Sequence, residues 1–209
     1  MAETQARFIT LEGGEGAGKS TLTKALTARL SAAGIGCDVT REPGGTPNAE
    51  AVRTLLVEGD KDRWHPLSEA LLLNAARFDH VERRIKPALA SGQWVMCDRF
   101  YDSTFAYQGA AGKLDAAQLM ALNAVTLGAF KPDLTFILDL DPEVGLARTV
   151  ARGEAITRFE AKGMDFHHAL RQAFLDIAAQ DPNRCVVLDA SQGPDAVEAA
   201  AWSHLQALL

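Results

Sequence analysis

The segment Gly13-Gly14-Glu15-Gly16-Ala17-Gly18-Lys19-Ser20 limits what this chain can be more than any other stretch. It fits G-x-x-x-x-G-K-[ST], follows the apolar run Phe8-Ile9-Thr10-Leu11 and precedes Thr21-Leu22-Thr23-Lys24-Ala25-Leu26. A strand, a glycine-rich turn and a helix in that order make a phosphate-binding loop. Glycines let the backbone turn its N–H groups inward around phosphate oxygens. The start of the following helix adds the positive end of its dipole at the same place. In such a loop Lys19 reaches the β- and γ-phosphates, and the Ser20 hydroxyl ligates Mg²⁺. A glycine turn without function is the plain alternative, and the four fixed positions with both flanks correct weigh against it.

At 209 residues the chain fits one α/β domain, residues 1–209, with a small inserted lid around residues 148–164. Hydrophobic residues at 47% and charged residues at 23% suffice for a real core. The net charge of −6 gives no general affinity for a nucleic-acid backbone, so anion binding must be local. Cys37, Cys97 and Cys185 lie far apart, with Cys97 and Cys185 inside apolar runs, as buried reduced thiols. The start, Met1-Ala2-Glu3-Thr4-Gln5, lacks the apolar stretch of a signal peptide. No apolar run approaches the ~20 residues of a membrane span. These features predict a cytoplasmic protein without nucleic-acid or membrane partners.

Short apolar runs alternate with longer helical patterns, which predicts a parallel sheet wrapped by helices. The expected strands are Phe8–Leu11, Gly36–Thr40, Trp94–Cys97, Leu134–Leu138 and Cys185–Leu188. Helices are expected at Ser20–Ala33, Asn48–Glu58, Leu67–Ala90, Ala116–Phe130, Glu143–Arg152, Phe166–Ala179 and Asp195–Leu209. Thr46 before Pro47 and Asp141 before Pro142 each pair a side-chain acceptor at N-cap with proline at N1. Gly109–Lys113 and Gly153–Gly163 read as mobile loops.

Ligands in such folds gather beyond the carboxyl ends of the strands. Glu12, Arg41 to Gly45, Asp98-Arg99, Asp139 and Asp189 stand there. Asp98 ends an apolar run as a Walker-B-like carboxylate does, able to hold Mg²⁺; an N-cap or solvated aspartate is the other reading. Arg99 beside it offers a bidentate fork to phosphate. The positions of Arg41, Arg53, Arg77, Arg99, Arg148, Arg152 and Arg158 suggest two phosphate-bearing ligands, because phosphoryl transfer spreads negative charge over donor and acceptor. Arg148 and Arg152 share a helix face, and Arg158 lies beyond Gly153, where a loop can fold over the donor and exclude water. A charged helix end followed by a disordered loop is the equal alternative for this stretch.

The chain resembles the bacterial thymidylate kinases over nearly its whole length. The resemblance runs through Leu11-Glu12-Gly13 and Gly16 to Ser20, then Thr40-Arg41-Glu42-Pro43-Gly44-Gly45-Thr46 and Ala75-Ala76-Arg77. It continues through Asp98-Arg99, Ala106-Tyr107-Gln108-Gly109, Pro132-Asp133-Leu134-Thr135 and Arg152-Gly153-Glu154. It implies a P-loop NTPase fold, α/β, with a doubly wound five-stranded parallel sheet and a small lid. The implied reaction is phosphorylation of dTMP by ATP with Mg²⁺, in a homodimer. Gly13, Gly14, Glu15, Gly16, Ala17, Gly18, Lys19, Ser20 and Thr21 would then bind ATP, and Ser20 and Asp98 the metal. Arg53 and Arg99 would bind the dTMP phosphate, and Glu42 and Pro43 would shape the pocket. Arg77 would meet a thymine carbonyl, Thr104 the ring N–H, and Tyr107 and Gln108 would lie along sugar and base. Glu15 would stand near the sugar, and Tyr107 would leave little room for a 2′-hydroxyl.

Some members of this family carry an arginine in the loop where Gly16 stands, so here the transition-state arginine is expected from the lid. Lys19, Asp98, Arg99, Arg152 and Arg158 form the expected catalytic set, with Arg158 the lid arginine having loop freedom. Leu73 occupies the place of the family's base-stacking aromatic residue, and Phe100 or Phe105 are the rings that could replace it. A kinase for another deoxynucleotide or a nucleoside, and a P-loop regulatory ATPase, stay open as other readings.

Overall fold

The computed structural model describes residues 5–60, 62–153, 158–159 and 161–209. All five expected strands form: β1 Phe8–Gly13, β2 Cys37–Arg41, β3 Trp94–Asp98, β4 Leu134–Asp139 and β5 Cys185–Asp189. They pair in parallel in the order β2-β3-β1-β4-β5, with Leu11 opposite Asp98 and Gly13 opposite Leu138. The helices are α1 Lys19–Ala32, α2 Pro47–Val57, α3 Pro66–His80, α4 Lys86–Ala90, α5 Tyr101–Thr104, α6 Ala116–Leu127, α7 Pro142–Ala151, α8 Met164–Gln180 and α9 Pro194–Gln206. Thr46 and Asp141 cap α2 and α7 as expected, accepting from Ala49 N and from Glu143 N and Val144 N.

Strand alternation divides the core. Ile9, Leu11, Trp94, Met96, Phe136 and Leu138 face Leu22, Leu26 and Leu30 of α1 and Ala201 and Leu205 of α9. The neighbouring positions point the other way, so Phe8, Val95 and Cys97 pack with Val81, Ile85 and Leu127. Each fully buried aliphatic side chain contributes about 1.5–3 kcal/mol relative to exposure. Both sheet faces are covered, so the edge of the strands at their carboxyl ends is where a ligand can enter.

Two helical stretches differ from expectation. The predicted Leu67–Ala90 helix is continuous but passes through a π turn, Val81–Ile85, between α3 and α4. The run from Tyr101 to Ala110 was not expected at all: α5 continues directly into a second π turn, Phe105–Ala110. The expected loop Gly109–Lys113 therefore begins inside a helix, and hydrogen bonds from Ala111 N to Ala106 O and Leu114 N to Gln108 O tie it down. Aromatic, Ser, Thr and Gly residues give this stretch weak intrinsic helix preference, so tertiary contacts must hold it. The lid expected at residues 148–164 is partly outside the described residues, which omit 154–157 and 160.

Two buried ion-bearing contacts fix the start of α5. Arg184 forks onto Asp102, at 2.7 Å and 3.0 Å, and also donates to Thr135 Oγ1 at 2.7 Å. Glu12, fully buried at the end of β1, accepts from Phe100 N at 2.7 Å and from Ser103 Oγ at 2.6 Å. Burial first, and then the nearby Asp102 charge, push the Glu12 carboxyl from 4.5 up to about 8. Between those two values the folded chain holds a proton that the unfolded chain has released, so Glu12 makes stability fall as pH rises through that window. Glu12→Gln removes this titration. In urea unfolding at pH 5 and pH 8, the loss of stability toward pH 8 is expected to be smaller in the variant than in the parent. Equal losses would show that Glu12 does not carry the dependence.

Candidate active site

The phosphate loop is delivered by β1 and ends at α1, where Gly18 stands at the N-cap in a left-handed conformation, φ 94°. No side chain caps α1 and its first turn holds no acidic residue, so its opening N–H groups are available to an anion. Gly16 has φ 67°, and a Cβ there would lie 2.0 Å from the carbonyl oxygen of Gly145 in α7. Loop and helix thus touch backbone to backbone, and no side chain fits at position 16 unless α7 moves. Lys19 is buried and donates to the carbonyls of Gly13 at 3.1 Å and Gly14 at 2.8 Å. Burial, followed by the Arg99 charge, lowers its pKa.

Parallel pairing of β1 with β3 sets Asp98 and Arg99 beside the loop. Arg99 adopts φ 69°, uncommon for a residue with a side chain. Its N–H donates to Leu11 O at 2.9 Å, and its guanidinium donates to Gly13 O at 2.9 Å, Ser103 Oγ at 3.2 Å and Glu15 Oε1 at 2.8 Å. The same guanidinium lies 5.0 Å from the Tyr107 ring, whose hydroxyl donates to Glu15 at 2.8 Å. Burial opposes the charge on Glu15, but Arg99, Lys19 and the Tyr107 hydroxyl outweigh it and hold the carboxyl at about 2. Burial likewise opposes the charge on Arg99, and Tyr107, Glu15, Asp98 and Glu12 reverse the effect and raise its pKa. The Asp98 Oδ1 atom is buried with no hydrogen-bond partner.

Loop, Asp98 and Arg99 form one wall of a cavity of about 550 Å³, within the range of small-molecule sites. The same cavity is lined by Glu42, Pro43, Arg53, Leu73, Arg77, Thr104, Tyr107 and Gln108, so the residues expected at the substrate share one space with the loop. Arg77 is buried and donates to Glu42 Oε2 at 2.7 Å, to Thr104 Oγ1 at 2.8 Å and to Phe100 O at 3.3 Å. Its Nη1 has no hydrogen-bond partner among the described residues. His80 approaches the other Glu42 oxygen at 3.1 Å and Thr40 Oγ1 at 2.7 Å, which completes a buried support behind Arg77. Arg53 donates to Pro43 O at 2.8 Å, and burial followed by the Arg41 charge lowers its pKa.

Both arginines expected in the lid are among the described residues, and they stand apart. Arg152, at the C-cap of α7, lines the cavity as expected. Arg158 does not have the loop freedom expected of it. It is buried, pairs with Glu69 at 2.5 Å and donates to Leu56 O at 2.9 Å, away from the phosphate loop. A buried guanidinium needs an anion, and α3 supplies one. Of the two rings expected to stand in for the aromatic at position 73, Phe105 does not line the cavity. Phe100 does, but it is fully buried among Phe8, Tyr101 and Phe130. The ring at the cavity that sequence reasoning missed is Phe159, edge-on to Tyr107 at 5.6 Å. Ser103 and Glu69 were also missed. Neither had a usable signal, because Arg99 stands in left-handed backbone before α5, where helical spacing to Ser103 does not apply, and Glu69 lies on another helix.

Comparisons with known proteins place the chain in a family. A family model described as thymidylate kinase matches residues 11–201. The thymidylate kinase of Caulobacter vibrioides is 58% identical over 197 residues, 94% of each chain. That of Rhodopseudomonas palustris is 52% identical over 205 residues, 97% of this chain and 89% of the relative. The crystal structure of thymidylate kinase from Ehrlichia chaffeensis superimposes with a TM-score of 0.77 at 35% identity, covering 96% of this chain and 98% of that one. With the phosphate loop, the Asp98-Arg99 pair and the Arg77 pocket around one cavity, the chain belongs to the thymidylate kinase family.

Proposed function

We propose that the cavity holds both substrates of the family's reaction, ATP at the loop and dTMP at the Arg77 wall, for the phosphorylation of dTMP to dTDP. The observation that carries this is that one cavity is lined by Lys19 and the start of α1 together with Arg99, Arg53 and Arg77. An oxygen of the dTMP phosphate attacks the γ-phosphorus in line while the bond to the bridging oxygen breaks and ADP leaves. No covalent enzyme intermediate forms, and positioning with electrostatics supplies the rate. Lys19 and the N–H groups of α1 hold the donor phosphates, and the forked guanidinium of Arg99 with Arg53 holds the acceptor phosphate. Ser20 and Asp98 would hold Mg²⁺, in keeping with the buried Asp98 Oδ1, unpartnered among the described residues, and with Ser20 lining the same cavity. The ion, when bound, neutralises charge on the phosphate oxygens.

The base lies against Arg77 and Gln108. The unpaired Arg77 Nη1 is a donor and the unpaired Gln108 Oε1 an acceptor, which matches the 4-oxo group and N3–H of thymine. Cytosine would oppose both, and unpaired polar groups in a closed pocket discriminate strongly. Glu15, held ionised, accepts from the sugar, and Tyr107 crowds the 2′ position. An ADP-release assay on dTMP, dUMP, dCMP and thymidine is expected to favour dTMP, with dCMP poorest among the monophosphates. Turnover of thymidine alone, or hydrolysis of ATP without an acceptor, would refute the assignment.

Arg152 supports the transition state from the cavity wall. For Arg158 to reach a donor phosphate it must exchange Glu69 and the Leu56 carbonyl for phosphate oxygens. Arg152→Ala is expected to lower kcat by about 10²-fold or more, as removal of a transition-state cation does, with KM for dTMP little changed. A rise in KM alone would assign Arg152 to ground-state binding.

The protein works as a homodimer through α3 and α6. These helices lie side by side, joined by a bond from Thr126 Oγ1 to Asn74 Oδ1 at 3.0 Å. They expose Leu71, Phe78, Met120 and Val125, the last at 85%. Sedimentation equilibrium is expected to give a dimer that Val125→Asp weakens; a monomeric parent would end this reading. No helix among the described residues is long and apolar enough to cross a membrane, and three free cysteines suit a reducing cytoplasm.

A further inference from the structure

Glu69 lies on α3 with its side chain only 9% exposed, and it meets two donors. Its Oε1 accepts from Gln108 Nε2 at 2.6 Å, and its Oε2 faces Arg158 Nη1 at 2.5 Å. A carboxylate only accepts. The amide facing it must therefore present its NH₂ group, and the Gln108 oxygen is turned away, buried and without a protein partner. Gln108 lines the cavity with Arg77, whose Nη1 is an unpaired donor. A glutamine by itself has no preferred face, since its oxygen and nitrogen are nearly the same size. The charge next to it decides.

We propose that Glu69 is a specificity-determining residue that acts through Gln108, fixing the amide so that its oxygen serves the base and selects a pyrimidine with an N3 proton over one with an N3 lone pair. The proposal rests on the reading that the base lies against Arg77 and Gln108. Glu69 touches no substrate atom; it sets the polarity of a residue that does. Glutamine at position 69 keeps the shape and loses the sign. Arg158 would claim its oxygen, leaving an NH₂ group toward Gln108. That residue must then turn its own oxygen inward to meet the new donor and present NH₂ to the cavity.

The test compares kcat/KM for dTMP, dUMP and dCMP in the parent, Glu69→Gln and Gln108→Leu, with inhibition constants against dTMP where dCMP turnover is below detection. In Glu69→Gln the dTMP-to-dCMP ratio is expected to fall by about tenfold or more, the scale of one misdirected buried hydrogen bond. The change should lie mainly in KM, and the dTMP-to-dUMP ratio should hold, because uracil carries the same N3–H. If Glu69 only steadies Arg158 or the fold, all three acceptors lose turnover together and the dTMP-to-dCMP ratio stays put, which overturns the proposal. A ratio that moves in Gln108→Leu but not in Glu69→Gln overturns the role of Glu69 alone. A ratio unmoved in both variants overturns the underlying placement of the base. Should Glu69→Gln not fold, the double variant Glu69→Met with Arg158→Met makes both ion-pair partners apolar. It leaves Gln108 without its anchor, and the same loss of ratio is expected.

Discussion

The carboxyl of Glu12 joins the two halves of the site. It leaves β1 at the point where the phosphate loop begins and receives Phe100 N–H and the Ser103 hydroxyl at the start of α5. Ser103 in turn accepts from Arg99, and Arg99 reaches back to Gly13 and Glu15. The circuit closes on itself within a few residues of the loop. It holds Arg99 in a backbone conformation that such a residue seldom adopts, and strain of this kind persists only where the surroundings over-determine it. Burial makes Glu12 a reluctant anion, and that is the energetic side of placing it there. The same desolvation strengthens each hydrogen bond it accepts.

Much of this was legible in the chain itself, for definite reasons. The three central strands, buried on both faces, read as nearly continuous apolar runs. The partly exposed edge strands β2 and β5 kept enough apolar β-branched residues to show, so all five appeared with ends displaced by a residue or two. Prolines after Thr46 and Asp141 marked helix starts because backbone chemistry there is local. The phosphate loop and Asp98-Arg99 were legible because a short-range motif carries its own geometry. The helical run from Tyr101 to Ala110 was not, since its propensity is weak and its anchors, Glu12 and Arg184, lie 88 and 82 residues from the bonds' other ends. Arg158 was misplaced for a related reason. Its position is set by Glu69, from a helix far away in sequence, and no periodicity announces such a partner.

Two kinds of wall meet in the cavity. The part near the phosphate loop offers backbone groups and one helix end, which can recognise phosphate without regard to what it is attached to. The part around Arg77 is built from side chains that are themselves held by other buried side chains: Arg77 by Glu42, Glu42 by His80, His80 by Thr40. Recognition of a particular base requires this second kind of construction, because a polar group selects only when its direction is fixed.

The contact between Gly16 and Gly145 bears on how this architecture can change over evolutionary time. An arginine cannot enter the loop at Gly16 by one substitution alone, since the first carbon added there meets the Gly145 carbonyl. At Gly145 the reverse obstacle is the Glu15 carbonyl, 2.3 Å from an added carbon. An intermediate sequence would carry the collision without the benefit. Loop and α7 can therefore change at this contact only together, with both glycines released at once.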